Sequence, residues 1–138
     1  MLTELKQYTA HSAQTASPGQ LVVMLYDGFQ KFAGQAQAAL QGNDVATAAN
    51  RLTRAQDIVG ELRASLDPAQ GQIADNLAQI YMFVDGRLTT ARIERNAAPI
   101  DEAMRLMADL RGAWAQIANT PRPQLERSGP AVGVDLAG

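Results

Sequence analysis

The sequence has no cysteine and only one histidine, His11, among its 138 residues. The lack of cysteine excludes disulfides, thiolate metal sites and cysteine nucleophiles. A single histidine excludes every site that needs two imidazoles, including a di-iron centre that takes a histidine from each of two helices. We therefore expect no bound metal and no cofactor.

Glycine-rich phosphate-binding loops and basic runs are also missing. The glycines are scattered, and neither G-x-x-x-x-G-K-[ST] nor G-x-G-x-x-G occurs. The twelve lysines and arginines and the fourteen acidic residues leave a net charge of −2, so we expect no binding to nucleic acid. Asp57 and Glu61 are four residues apart, and we interpret them as a solvated helix flank rather than as catalytic acids. We therefore expect no enzymatic activity.

Long apolar runs are absent as well. No stretch approaches the roughly 20 residues that a membrane-spanning helix requires. The first eight residues include Glu4 and Lys6 and lack the apolar core of a secretory signal. We therefore expect no secretory signal and no direct insertion into a membrane.

The residues that are abundant favour helices. Hydrophobic residues make up 46% of the chain and aromatic residues only 5%, and the many alanines and glutamines favour helices over strands. Start signals, stop signals and apolar spacings of three and four predict four helices. The first runs from Ser17-Pro18 to about Leu40, the second from Asp44 to Asp67-Pro68, the third from Gly71 or Gln72 to Asn96, and the fourth opens at Pro99.

These helices predict the fold class and its boundaries. Short connections favour antiparallel neighbours, so the sequence predicts an all-α, antiparallel up-down four-helix bundle over residues 17–119. Residues 1–16 are a short N-terminal leader in this prediction. Residues 120–138, with three prolines and three glycines, are predicted to be a disordered C-terminal tail. The core-facing residues predicted for the third helix are Ile73, Leu77, Ile80, Val84, Leu88 and Ala91.

Two apolar runs, residues 21–26 and 80–84, are longer than one core-facing stripe requires. Successive residues lie about 100° apart around a helix, so five or six apolar residues in a row surround it. Some of their side chains are therefore expected to point away from the core. The outward candidates are Val23 and Tyr26 on the first helix, and Met82 with either Phe83 or Tyr81 on the third.

Several interpretations of this surplus apolar surface remain open. The leader can cover it through Leu2, Leu5 and Tyr8, a second copy of the chain can cover it, a partner helix or extended peptide can bind it, or the bundle can bury it. Methionine beside aromatic residues favours a peptide partner, because such surfaces adapt to different shapes. Asp27 and Asn76 lie beside the runs, where they can hydrogen-bond a partner's peptide groups.

Motifs in all four predicted helices recur in one known family. They are Ala16-Ser17-Pro18, Leu21, Met24-Leu25-Tyr26-Asp27-Gly28, Leu52, Ala55-Gln56-Asp57-Ile58-Val59, Glu61-Leu62, Ser65-Leu66-Asp67, Gly71, Ile73-Ala74, Asn76-Leu77, Tyr81, Leu110-Arg111 and Ala113-Trp114. In order and spacing these motifs resemble the flagellar secretion chaperone family (FliS) over about residues 5–117. Met82 and Phe83 depart from that pattern, since many relatives have aspartate and tyrosine there.

The resemblance implies a function that the residues alone do not specify. It implies a four-helix chaperone without catalysis that binds the disordered C-terminal segment of flagellin in the bacterial cytoplasm. Such a chaperone prevents premature polymerisation and keeps flagellin competent for flagellar type III export. It further implies that Leu5 and Tyr8 dock to the flagellar export gate.

The partner-binding residues that we predict rest on the surplus apolar runs and on the family resemblance together. Leu5 and Tyr8 come from the leader, and the others are Val23, Tyr26, Asp27, Asn76, Tyr81, Met82 and Phe83. We expect the protein to be a monomer or a weak homodimer. The alternative is a structural helical homo-oligomer that uses the surplus apolar surface as its interface.

Overall fold

The computed structural model describes residues 16–119 of the chain. Those residues form four α-helices and a short 3₁₀ turn, Pro68–Gln70, and contain no strand. The all-α class is therefore confirmed. The tail and nearly all of the leader, including Leu5 and Tyr8, lie outside the described residues. The helices are α1 (Pro18–Gln41), α2 (Val45–Ala64), α3 (Gln72–Glu94) and α4 (Ala98–Asn119).

The starts of α1 and α2 follow from capping side chains. The Ser17 hydroxyl accepts a hydrogen bond from the Gln20 N–H at 3.1 Å, and Gln20 Oε1 accepts one from the Ser17 N–H at 2.8 Å. The Asp44 carboxylate likewise accepts from the Thr47 N–H at 3.1 Å. These bonds satisfy N–H groups that the first helical turn leaves without partners. Both predicted helix starts are confirmed.

The connection between α2 and α3 contains a residue with unusual backbone geometry. Helix α2 ends at Ala64, a little before Asp67-Pro68, and Asp67 accepts a hydrogen bond from the Ala69 N–H at 2.9 Å. Gly71 then has a φ of 69°, a conformation that glycine adopts without a steric cost. The chain therefore turns at Gly71 directly into α3.

The four helices form a closed ring of neighbours. Helices α1 and α3 each pack against α2 and α4, so α1 and α3 face each other across the diagonal. Gln30 of α1 reaches the Met104 carbonyl, while Asp27, one turn earlier, reaches Arg111, later in α4. This register, together with the short connections, confirms the antiparallel bundle.

The inner side of α3 agrees with the prediction at Val84, Leu88 and Ala91, which are buried, and differs from it near the start of the helix. Ile73 is 50% exposed, whereas Ala74 and Tyr81 are buried with Leu88. The prediction for Ile73 was wrong because Ile73 lies in the first turn of α3, at the end of the bundle, where the inner stripe that buries Val84 and Leu88 is open to solvent. The core consists of Tyr26, Phe29, Ala33, Ala36, Leu52, Ala55, Ile58, Val59, Leu62, Tyr81, Val84, Leu88, Ala91, Ile100, Ala103 and Met107.

A cluster of polar side chains sets the register of α3 on α2. The Arg92 guanidinium donates to Gln56 Oε1 at 2.6 Å and to Thr53 Oγ1 at 3.2 Å. Gln56 Nε2 in turn donates to Thr89 Oγ1 at 3.0 Å. Such bonds need particular side-chain positions, whereas apolar packing alone tolerates more sliding. They therefore help to determine which side of α3 faces outward.

Candidate partner-binding groove

An open groove of about 450 Å³ lies between α3 and α4. Four of its lining residues come from α3 and one from α4, and none of them carries a charge. Phe83 is 47% exposed, and Ile80 and Leu106 are half-buried. The lining residues are Asn76, Gln79, Ile80, Phe83 and Leu106.

The polar rim of the groove carries carboxamide groups. Gln72 Nε2 donates to Asn76 Oδ1 at 2.9 Å, which leaves Asn76 Nδ2 able to donate to a bound molecule. Gln79 is exposed one turn away on the same helix. Carboxamides both donate and accept, so this rim can satisfy the peptide groups of a bound segment.

An exposed apolar surface continues beside the groove along α3. Met82 is 57% exposed, and Ile93, near the end of the helix, is 74% exposed. Gly86 lies between them, and a Cβ added there would meet nothing within 4 Å. The predicted outward positions of Met82 and Phe83 are therefore confirmed.

The predicted outward position of Tyr26 is wrong, and of the two alternatives Phe83 and Tyr81 it is Tyr81 that lies in the core. Both tyrosine side chains are buried, and their hydroxyl oxygens lie 2.7 Å apart. Burial is the main cause that raises the pKa of Tyr26, and the neighbouring Tyr81 raises it further. Burial also raises the pKa of Tyr81. The two hydroxyls stay protonated and bind each other, so they belong to the core and do not line the groove.

Two other predicted residues, Val23 and Asp27, lie on α1 and do not line the groove. The Asp27 carboxylate binds Arg111 of α4, with Nε and Oδ1 2.7 Å apart, and this interaction raises the pKa of Arg111. Val23 is half-buried. Of the predicted residues that the structure describes, Asn76 and Phe83 line the groove, with Met82 next to Phe83 in the chain.

Sequence reasoning missed Gln79, Ile80 and Leu106. Ile80 was assigned to the core because its spacing fits the inner stripe, but it is half-buried at the groove. On α4 the fully buried apolar residues are Ile100, Ala103 and Met107. Leu106 is an apolar residue outside that set, and this is the signal that could have identified it.

The acidic pair Asp57 and Glu61 is not a uniformly solvated flank. Asp57 Oδ2 is buried and has no hydrogen-bond partner among the described residues, and burial raises the pKa of its carboxyl group. Glu61 is exposed. Nowhere in residues 16–119 do three acidic or histidine side chains cluster in a way that could hold a metal ion.

None of the described helices combines the length and the apolar character that crossing a membrane requires. The groove and the exposed apolar residues of α3 lie on the surface of the bundle. Exposed apolar area of this kind commonly marks a site of protein interaction.

Comparison with known proteins identifies the family. The family model for the flagellar protein FliS matches residues 1–121. The chain is 34% identical over 125 residues to the flagellar secretion chaperone FliS of Salmonella typhimurium, covering 88% of this chain and 91% of that protein. It is 30% identical over 122 residues to the protein of the same name from Bacillus subtilis, with the same two coverages. The chain therefore belongs to the FliS family of flagellar secretion chaperones.

Proposed function

We propose that the protein is a cytoplasmic chaperone that binds the disordered C-terminal segment of flagellin. In this role it prevents premature polymerisation and keeps flagellin competent for flagellar type III export. The observation that carries the proposal is an uncharged groove with an exposed Phe83 in a member of a flagellar secretion chaperone family.

The groove suits a segment that becomes ordered as it binds. Covering a large apolar side chain contributes about 1.5–3 kcal/mol, so Phe83, Ile80 and Leu106 can supply part of the binding energy. Asn76 and Gln79 can bond the segment's peptide groups, which lose water on binding. Ordering the segment costs several kcal/mol, so we expect the groove to be one part of a larger contact surface.

Calorimetric titration with flagellin tests this function. We expect 1:1 binding to intact flagellin and no binding to flagellin that lacks its C-terminal segment. Failure to bind intact flagellin would refute the proposal. If the mass of the protein alone then rose with concentration in sedimentation, the homo-oligomer alternative would be supported instead.

A pair of matched substitutions tests the role of the groove. Phe83→Asp places a charge in the groove, and we expect it to weaken flagellin binding at least tenfold, or about 1.4 kcal/mol. Val45→Asp makes the same kind of change at an exposed apolar site on α2, which does not line the groove. We expect it to change the affinity less than twofold. Equal losses in the two variants would show that the groove is not a specific site.

The leader carries a second proposed contact, with the flagellar export gate. Leu5 and Tyr8 are the residues that we expect to make it. A variant with Leu5→Ala and Tyr8→Ala should retain flagellin binding in the titration and lose binding to the purified soluble domain of the export gate. Unchanged binding to the gate would remove these two residues from the proposed interface.

A further inference from the structure

The C-terminal tail follows the helix that forms one wall of the groove. Helix α4, which contributes Leu106 to the groove, ends at Asn119, and residues 120–138 follow it. Because α3 and α4 are antiparallel, α4 ends at the end of the bundle where α3 begins. The last described residue before the tail, Asn119, is therefore at the end of the bundle where α3, with most of the groove residues, begins.

The groove extends toward that same end. Arg87 of α3 and Glu102 of α4 are joined by a salt bridge, with Nε and Oε1 2.9 Å apart. This pair lies about one helical turn beyond Phe83 and Leu106, on the side away from the tail. Asn76 lies on the other side of Phe83, nearer the start of α3, so a chain arriving from the end of α4 meets the groove directly.

The tail is long enough to turn back and fill the groove. Leu106 precedes Asn119 by thirteen residues, which span about 20 Å of helix. Thirteen further residues lead from Asn119 to Val132, and an extended chain of that length spans up to about 43 Å. Pro121 and Pro123 cannot continue the hydrogen bonding of α4, so a change of direction is expected just after the helix.

The chemistry of the tail matches that of the groove. Val132, Val134 and Leu136 alternate with Gly133 and Asp135. In an extended backbone, alternate side chains point to the same side, so three apolar side chains would face the uncharged groove. Extended segments of this type bind through alternate side chains and through their peptide groups, for which the groove rim offers carboxamides.

From these observations we propose that residues 132–136 of the tail occupy the α3–α4 groove when no partner is bound. The family match ends at residue 121, so this segment is an element beyond the matched four helices. The leader is a poorer candidate, because it precedes α1, which lies diagonally opposite α3.

The consequence, which rests on the proposed function, is competition between the tail and flagellin. A tethered segment reaches an effective concentration on the order of 1 mM at its site. A tail contact with a dissociation constant of about 0.1 mM would then fill the groove about nine-tenths of the time, and would weaken flagellin binding about tenfold.

Methyl NMR of the full-length protein tests the docking directly. We compare the wild type with a Val132→Asp/Val134→Asp variant and with a Leu125→Asp control, which changes the tail outside the alternating segment. The Ile80 and Leu106 methyl signals should shift in the double variant and remain unchanged in the control. The signal of buried Val59 on α2 should not move in either.

Unchanged Ile80 and Leu106 signals in the double variant would overturn the proposal. It would also be wrong if these signals responded instead to protein concentration or to removal of residues 1–15, because the occupant would then be a second copy or the leader. Either result would leave the proposed chaperone function standing.

Titration of the same proteins with the flagellin C-terminal segment separates the two proposals. We expect the double variant to bind about tenfold more tightly than the wild type and the Leu125→Asp control. Equal affinities would refute the competition while supporting the chaperone function. Shifted methyl signals without any flagellin binding would support tail docking and refute the chaperone function.

Discussion

The hydroxyl groups of Tyr26 on α1 and Tyr81 on α3 lie 2.7 Å apart in the buried centre of the bundle. They join the two helices that face each other across the diagonal. Met82 and Phe83 follow Tyr81 by about 100° and 200° around the helix. Because Tyr81 points inward, both of these apolar side chains are directed outward, and the core contact thereby exposes the groove surface.

The tyrosine pair predicts a thermodynamic coupling. Tyr26→Phe or Tyr81→Phe alone removes the hydrogen bond between the two buried hydroxyls, and we expect each to lower the free energy of unfolding by about 1–3 kcal/mol. The double variant should lose less than the sum of the two single losses. Urea unfolding followed by circular dichroism measures all three values. Strictly additive losses would show that the hydroxyls do not interact in solution.

The same pair predicts a loss of stability at alkaline pH. The folded pKa of both tyrosines is raised above the ordinary value of 10.0, so this contribution to folding is fully present below that value. As the pH rises above it, the unfolded tyrosines lose protons while the folded ones do not, and stability falls. We expect the Tyr26→Phe/Tyr81→Phe variant to lose less stability across this range. Parallel curves of unfolding free energy against pH would contradict the assignment.

Two helical glycines should respond to substitution in opposite ways. A Cβ on Gly86 would meet nothing within 4 Å, so Gly86→Ala should raise the free energy of unfolding by about 0.5–1 kcal/mol through helix propensity. A Cβ on Gly28 would lie 3.0 Å from Ile58 Cδ1, between α1 and α2. Gly28→Leu should therefore cost about 1–3 kcal/mol by overpacking. Thermal unfolding distinguishes these outcomes. If the Gly86→Ala variant were less stable than the wild type, the space around residue 86 would be too small for an added methyl group.

Asp27 and Asn76 were predicted to play the same role, but they should behave differently. Asp27 is engaged by Arg111 on the α1–α4 side, so Asp27→Ala should change flagellin affinity less than twofold. Its effect on stability should stay within about 1 kcal/mol, as is usual for half-exposed ion pairs. Asn76→Ala removes a donor from the groove rim and should weaken flagellin binding about three- to tenfold, for one hydrogen bond of about 1 kcal/mol. Calorimetric titration of both variants measures the difference, and the reverse order of effects would place the binding surface on the α1–α4 side.

Much of the fold could be predicted because its signals are local. Ser17, Gln20 and Asp44 satisfy N–H groups within one helical turn of themselves, so the sequence alone locates those helix starts. Prolines, glycines and apolar spacing located the remaining ends to within a few residues. The identity of the family likewise follows from the order of short motifs along the chain.

The groove could be predicted only in part, because it depends on contacts between helices. The surplus of apolar residues at 80–84 showed that some side chains must be exposed, but spacing alone could not show which ones. Periodicity assigned Ile80 to the core and left Tyr26 and Tyr81 as outward candidates. Leu106 was not predicted as a groove residue, because it lines the groove only when α4 packs beside α3.

The helices, their antiparallel order and the family could all be read from the sequence, because they depend on interactions between residues close in the chain or on the order of motifs along it. The rotation of α3 about its own axis, by contrast, follows from contacts between the packed helices. That rotation depends on bonds between residues far apart in sequence: Tyr81 with Tyr26, and Arg92 with Gln56. It turned Tyr81 into the core and left Phe83 exposed at the groove, since side chains at neighbouring positions of a helix face different directions.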